Sequence, residues 1–355
     1  MPLQKVVTSA GTIEMNYQIC TPTNACATAI DQNLPTILFL HPVYLSSIAF
    51  HNQMNDASIR RFNCVSFDAR EHGLTISKVD KNYGPAQAAE DTVLLLDALG
   101  INKVHMFAVS MGTLTAMHMT MTYPERCSSA YLLSPHAIRE PEDVMKGRRE
   151  IVECWEEGFS RPESRRDAVY GALQLAFSNK PTSLGNTMLS VDISRTLKIY
   201  DPSNKEEVRI FSLSFFEADR DKYSCEGFSG VKCPVKLMFC VEDVAYTLEQ
   251  ARELLKLMQD SGVNASLEQI MACHYGHITK PTEVNQSLVK FLQEVDPCTA
   301  QLRVPSQAVS PFDSVLKKAG YVEVESDCGD VQPPFHQFCH CPPLNRQGVQ
   351  NESDL

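Results

Sequence analysis

The chain has 355 residues, 43% of them apolar, which is enough to bury one large core or one core carrying a substantial inserted subdomain. Its 32 Lys and Arg stand against 43 Asp and Glu, and a formal charge of -11 repels a polyphosphate backbone, so nucleic acid is not an expected partner. No apolar run approaches the roughly 20 residues of a membrane span, and the opening MPLQKVVTSAG lacks the apolar segment of a secretory signal, so the expectation is a cytoplasmic protein.

In chain order, short β-rich apolar runs alternate with helical patterns. TILFLH (36–41) and NCVSFD (63–68) read as buried strands. A helix follows over YGPAQAAEDTVLLLDALG, with Pro85 at its start, apolar positions at Ala89, Val93 and Leu96, and Gly100 as its stop. KVHMFAVS (103–110) is the next strand, a second helix is expected after Ser110, and SSAYLLSP (128–135) is again a strand. The alternation then breaks. Between Pro135 and Val235 four segments read as helices, with aromatic positions at Trp155, Phe159, Tyr170, Phe177, Phe211, Phe215 and Phe216 that give this stretch apolar faces of its own. It resumes with VKLMFCV (235–241) and SLEQIMAC (266–273).

This pattern predicts an α/β fold: a mostly parallel central sheet covered by helices on both faces, with an inserted helical lid subdomain. The core spans 1–135 and 235–296, and the lid 136–234. Residues 297–355 form a C-terminal extension, expected to be partly disordered, with one short helix near Ser314 to Ala319 and an apolar set of Phe312, Val315, Leu316 and Tyr321 able to dock.

Ser110 lies where a predicted strand ends and a helix begins, in HMFAVSMGTL. A serine at such a tight turn is exposed to attack chemistry, but the crossing of strand and helix requires small residues two before and two after it. Gly112 meets the second requirement, and Ala108 exceeds the first by one methyl group. The alternative is a serine that merely caps the helix. Because a serine hydroxyl is protonated at neutral pH, a nucleophilic role needs a base and an oxyanion site supplied by the rest of the chain.

The segment resembles the nucleophile turn of the α/β-hydrolase fold, and further landmarks of that family follow in order. TILFLHPV resembles the strand ending in His-Gly before the oxyanion loop, with Pro42 in place of the glycine. FDAREHGLT is similar to an Asp-x-Arg-Gly-His-Gly-x-Ser segment, with Glu71 and Thr75 as departures. YPERCSSAYLLSP resembles the helix end and strand after the nucleophile, FCVEDVAY the strand and acid loop, with Cys240 replacing a common glycine, and CHYGHIT the histidine loop. The resemblance covers about residues 1 to 296.

The resemblance implies a triad in the chain order serine, acid, histidine. Position by position this gives Ser110, Asp243 and His277, with Gly276 permitting a sharp approach of His277 to the serine. His274 is the rival base and Glu242 the rival acid. The oxyanion amides would be those of Met111 and Val43, since Pro42 has no N–H. His41 is expected to shape the loop, and Arg70 and His72 to brace a neighbouring one rather than bind an anion. The expected activity is hydrolysis of a carboxylic ester or lactone through an acyl-enzyme, on a small-molecule substrate. Acyl transfer to an alcohol is the runner-up, since SMGTLTAMHMTMTYPERC also resembles homoserine-acetyltransferase-like enzymes. Carbon–carbon bond hydrolysis and a non-catalytic receptor follow. No cofactor is expected. Cys328, His336, Cys339, His340 and Cys341 lack the paired spacing of a zinc site, so no metal is expected either. The remaining cysteines, such as Cys64, Cys127, Cys240 and Cys273, lie singly in apolar segments, as buried free thiols do in a reducing compartment.

Overall fold

The structure, a computed structural model, describes residues 2–161, 175–178, 182–199 and 202–322. Strands β1 (Leu3–Thr8), β2 (Gly11–Thr21), β3 (Asn24–Ala27), β4 (Thr36–Leu40), β5 (Asn63–Phe67), β6 (Val104–Val109), β7 (Cys127–Leu133), β8 (Val235–Cys240) and β9 (Ala265–Ile270) form one sheet in the order β1-β2-β5-β4-β6-β7-β8-β9, with β3 paired to β2. All pairs from β5 to β9 are parallel, while β1, β2 and β3 join antiparallel at one edge. The continuous apolar runs account for the parallel part: every residue of β4, β5, β6 and β8 is buried, as strands covered on both faces require. The antiparallel edge was not anticipated, because LQKVVT and GTIEMNYQICT mix polar and apolar residues in the half-exposed alternation of an edge ribbon.

Helix α1 (Pro85–Ala98) begins at Pro85, with the Gln87 side chain accepting from the Gly84 amide at 3.1 Å, and ends before Gly100, whose φ of +66° is a left-handed stop. Helix α2 (Met111–Thr122) follows Ser110 directly. Between β7 and β8 lie α3 (Glu142–Ser160), α4 (Ser183–Ile199) and a further run, Lys205–Arg209, which continues through a π turn at Ile210–Ser214 into Phe215–Glu217. Trp155, Phe177, Phe211, Phe215 and Phe216 are all buried, whereas Tyr170 lies outside the described residues. Helix α5 (Leu248–Asp260) is opened by a reciprocal cap in which Thr247 Oγ1 accepts from Gln250 N and Gln250 Oε1 from Thr247 N. Helix α6 (Pro281–Val295) starts on a proline and buries Val284, Leu288, Phe291 and Leu292.

The segment after α6 is part of the packed body as far as it is described. Helix α7 (Asp313–Lys318) buries Phe312 and Leu316 completely. Arg60 Nη1 donates to the Val309 carbonyl at 2.7 Å, and Ser310 N donates to Asn55 Oδ1 at 3.2 Å. Residues 323–355, including Cys328, His336, Cys339, His340 and Cys341, lie outside the described residues. Among the described residues, no helix is long and apolar enough to cross a membrane.

Because Phe312 fills space in the common core, Phe312→Ala is expected to lower stability by about 3–5 kcal/mol, read as a shift in the chemical denaturation midpoint at constant slope. A chain ending near Cys298 is likewise expected to melt below the full-length protein.

Candidate active site

The sheet delivers three side chains to one place. Ser110 sits in the turn from β6 to α2 with φ 50° and ψ −118°, a conformation L residues rarely adopt. It persists because its surroundings fix it. The Ser110 amide donates to Leu133 O at 3.0 Å, and the Ser110 carbonyl accepts from Thr113 N at 2.7 Å and Thr113 Oγ1 at 2.6 Å. The small-residue requirement is asymmetric. A Cβ on Gly112 would stand 2.2 Å from the Leu40 carbonyl oxygen, so no other residue fits there. Ala108 lies within β6, paired in register with Leu40 and Leu132, and its methyl group is accommodated in the buried core.

Asp243 lies just beyond β8. Its Oδ1 accepts from the amides of Ala245 at 2.8 Å and Tyr246 at 3.2 Å, which turns Oδ2 toward the histidine loop. Glu242 is exposed. The histidine that meets both the acid and the serine is His274, not His277. His274 Nδ1 lies 2.5 Å from Asp243 Oδ2, and His274 Nε2 lies 2.8 Å from Ser110 Oγ. With Asp243 accepting at Nδ1–H, the neutral ring presents Nε2 as the acceptor for the serine proton.

The expectation for His277 fails for a local reason. Gly276 opens a short helical turn, Gly276–Thr279, that leads into α6 and carries His277 away from the serine. The glycine is needed because a Cβ there would lie 2.9 Å from Cys240 Sγ and 3.1 Å from Ala272 Cβ, not to aim the following side chain. His277 is fully buried against Phe50, Phe107 and Tyr275, and neither ring nitrogen has a hydrogen-bond partner among the described residues.

Three residues that the sequence did not single out hold this geometry. Ser134, also at positive φ, ends β7 and donates its hydroxyl to the His274 carbonyl at 2.7 Å. Tyr275 donates its hydroxyl to the Val43 carbonyl at 3.0 Å, tying the histidine loop to the loop after β4. Asp192, on α4, accepts from Ser46 N at 2.8 Å and Ser46 Oγ at 2.9 Å and pairs with Arg195 at 3.1 Å, so the inserted helices grip that same loop. A serine directly after a strand offered a signal for the first. Nothing in the sequence marked the other two.

The remaining candidates fall into place around this arrangement. Met111 is the first residue of α2, where the amide has no acceptor within the helix. Val43 is buried in the loop after β4. His41 braces that loop, with Nδ1 2.8 Å from Pro42 O and Nε2 accepting from Ala69 N at 2.9 Å. Arg70 is committed to structure: it forks onto Asp91 at 2.7 and 2.9 Å and donates to Lys78 O, Thr8 Oγ1 and Gly11 O. His72 Nδ1 lies 2.7 Å from Arg70 O, and its ring packs on His41 and Phe211.

With the geometry described, comparison with known proteins becomes informative. A family model for the alpha/beta hydrolase fold matches residues 35–222, more than half of the chain. The chain belongs to the α/β-hydrolase fold family. It is 22% identical over 241 residues to a putative carbamate hydrolase RutD of Caulobacter sp. strain K31, covering 66% of this chain and 82% of that protein. It is 31% identical over 140 residues to 3-oxoadipate enol-lactonase 1 of Acinetobacter baylyi, covering 39% of this chain and 48% of that one. Among solved structures it resembles the enol-lactonase from Burkholderia xenovorans LB400, with a TM-score of 0.60 at 20% identity, covering 82% of this chain and all of that one. In this family member the strand-turn-helix at Ser110 and the loops after β4, β8 and β9 converge on one point.

The buried histidines of the folded body carry a consequence for stability. Burial pushes His51, His105, His118 and His136 down to about 4, and His72 and His277 down to about 3. In the unfolded chain such groups titrate near 6.5, so below that pH the unfolded state takes up protons that the folded state does not. Burial raises Asp192 to about 6 and Glu71 to about 7, and these two act in the opposite sense over the same range. Seven depressed histidines, His41 among them, outweigh two raised carboxylates. The denaturation midpoint is therefore expected to fall as pH is lowered from 7 through 6.5 toward 4.5, and a midpoint unchanged or higher at 4.5 would contradict the buried neutral state of these rings.

Proposed function

We propose that the protein is a serine hydrolase that cleaves a carboxylic ester or lactone through an acyl-enzyme on Ser110. The observation that carries this reading is the unbroken chain Asp243 Oδ2 to His274 Nδ1 at 2.5 Å and His274 Nε2 to Ser110 Oγ at 2.8 Å. His274 takes the serine proton as Oγ attacks the carbonyl carbon, and Asp243 holds the ring tautomer and stabilises the imidazolium. The amides of Met111 and Val43 bind the oxyanion. Collapse of the tetrahedral species expels the alcohol, which takes the proton from His274. Water, activated by the same histidine, then releases the acid and restores Oγ–H.

The reading draws support from relatives named for ester-like chemistry, the enol-lactonases and the carbamate hydrolase. Residues 136–234 act as a lid in this reading. Ser110 is only 2% exposed and His274 7%, and the inserted helices reach the site through Trp155 on Tyr44 at 4.5 Å and Phe177 on Tyr275 at 5.2 Å. Enclosure of this kind excludes bulk water and strengthens the electrostatic interactions within. Among the described residues, ten free cysteines, six of them buried, suit a reducing cytoplasmic compartment.

A panel of p-nitrophenyl esters of increasing acyl length, assayed with and without an alcohol acceptor, tests the reading and separates hydrolysis from acyl transfer. Ser110→Ala is expected to abolish turnover and His274→Ala to be nearly as damaging, because the residues act as a unit. Asp243→Asn is expected to cut kcat on the order of a thousandfold or more by favouring the wrong tautomer. His277→Phe keeps the ring packing and removes two unpartnered nitrogens, so it is expected to retain turnover. If His277→Phe is dead while His274→Ala is active, the assignment of the base is wrong.

A further inference from the structure

The loop that carries the acid, residues 241–247, joins β8 to α5. Within it only Asp243 and Tyr246 are buried, while Val241, Glu242, Val244 and Thr247 are exposed. Backbone bonds fix the start of the loop, from the Val241 amide to Ile270 O, the Glu242 amide to Ala272 O and the Asp243 amide to Cys240 O. Past the acid, Tyr246 is the buried side chain on which the loop returns to α5. Its amide is also one of the two that fix Asp243 Oδ1, at 3.2 Å, and its ring centroid lies 5.8 Å from that of His274. The placement of Tyr246 therefore bears on the direction of Asp243 Oδ2, which lies 2.5 Å from His274 Nδ1.

The Tyr246 hydroxyl ends in a polar cluster that the hydrolytic chemistry does not use. It donates to Glu140 Oε1 at 2.7 Å, accepts from Arg148 Nη2 at 3.2 Å and lies 2.6 Å from His136 Nδ1. Burial holds this hydroxyl well above its ordinary value and pushes His136 down to about 4, so near neutral pH Tyr246 keeps its proton for Glu140 and the ring of His136 is uncharged. Glu140 is anchored in turn. Arg148 Nε donates to its Oε1 at 3.0 Å and Arg220 Nη2 to its Oε2 at 3.1 Å. The guanidinium carbon of Arg148 lies 3.5 Å from the centroid of Phe216, and Arg220 also donates to Ala137 O at 2.8 Å and Phe216 O at 2.7 Å. All of these partners belong to the stretch between β7 and β8, from its beginning at 136–148 and from its end at 216–220. Three polar partners on one phenol exceed what packing an aromatic ring requires, since a phenylalanine fills nearly the same space. What the hydroxyl adds is a fixed link between the inserted segment and the acid loop.

We propose that Tyr246 is a positioning residue for the acid: Glu140, through the Tyr246 hydroxyl, holds the turn that aims Asp243 at His274 Nδ1 and so keeps the ring in the tautomer whose Nε2 can take a proton. The tautomer claim stands on this geometry alone, whereas its effect on turnover rests on the reading of Ser110 as nucleophile.

The test reads the tautomer directly, by nitrogen NMR of the His274 ring in full-length protein carrying isotope-labelled histidine, at a pH where the ring is neutral. The two resonances are assigned by their loss in His274→Ala. The wild type is expected to hold the Nδ1–H form. Tyr246→Phe, which keeps the ring and removes one hydroxyl, is expected to shift the tautomer ratio toward Nε2–H by roughly tenfold. A loss of stability alone would leave the ratio in the folded molecules unchanged. The second readout is turnover of p-nitrophenyl butyrate per Ser110 titrated with a fluorophosphonate, which removes misfolded protein from the count. Tyr246→Phe is expected to lower kcat by roughly tenfold with KM within about twofold of wild type. Glu140→Gln keeps an oxygen for the tyrosine but loses the charge, so it is expected to lower kcat less, and to add nothing in the Tyr246→Phe background because both act through one bond. If Ser110 takes no label and no ester is cleaved, the reading of Ser110 fails and the tautomer ratio still decides the positioning role. An unchanged tautomer ratio in Tyr246→Phe, or a Glu140→Gln loss that adds in full to that of Tyr246→Phe, would overturn the proposal.

Discussion

The arrangement depends on one backbone constraint, the left-handed turn at Ser110. A non-glycine residue at φ 50° and ψ −118° carries strain on the order of 1–3 kcal/mol, and it is retained only where neighbours over-determine it. Here the amide is fixed by β7, the carbonyl by Thr113, and the approach of α2 to β4 by Gly112 against Leu40. The turn does two things at once. It lifts Oγ out of the strand toward the loops at the carboxyl end of the sheet, and it leaves the first amide of α2 without an intrahelical acceptor. In the proposed mechanism, nucleophile and oxyanion donor come from the same few atoms.

The loops that meet Ser110 are tied to one another by side-chain hydrogen bonds. Ser134 clamps the His274 carbonyl, Tyr275 clamps Val43, and Asp192 clamps Ser46. Each link joins the end of one β-strand or an inserted helix to the loop of another. A displacement of the inserted helices therefore reaches the oxyanion loop through Asp192 and the acid loop through Tyr246 and Glu140. In the proposed reading the helices between β7 and β8 enclose the site.

Much of this was legible in the sequence, and the limits have physical causes. The central parallel strands β4, β5, β6 and β8 were readable because strands buried on both faces are continuous apolar runs, and the antiparallel ribbon β1 to β3 was not, because its strands mix polar and apolar residues. Ser110 was singled out from its strand-to-helix turn and Asp243 from the family resemblance, and the structure brings the two within reach of one histidine. The histidine was misplaced by three residues because the glycine rule was applied to Gly276 as though it aimed the next side chain, when that glycine answers to Cys240 and Ala272. A motif gives the order of the residues, but which of two nearby rings reaches the serine depends on where the helical turn before α6 begins. The inserted helices were recognisable as a group, yet the polar cluster around Glu140 joins residues up to 110 apart in sequence, and no periodicity records such long-range pairing. The docked helix at Asp313–Lys318 was readable as apolar spacing, but its burial depends on a groove that only the folded body supplies.

The central claim is that Ser110 is activated by His274 alone of the two neighbouring histidines. Reaction with a fluorophosphonate, followed by peptide mass mapping and by the rate of labelling in His274→Ala and His277→Phe, addresses it most directly. The account predicts a single adduct on Ser110, formed at near wild-type rate in His277→Phe and at least about a hundredfold more slowly in His274→Ala, since general-base assistance is worth that much or more. An adduct on another residue, or equal labelling of His274→Ala and the wild type, would contradict it.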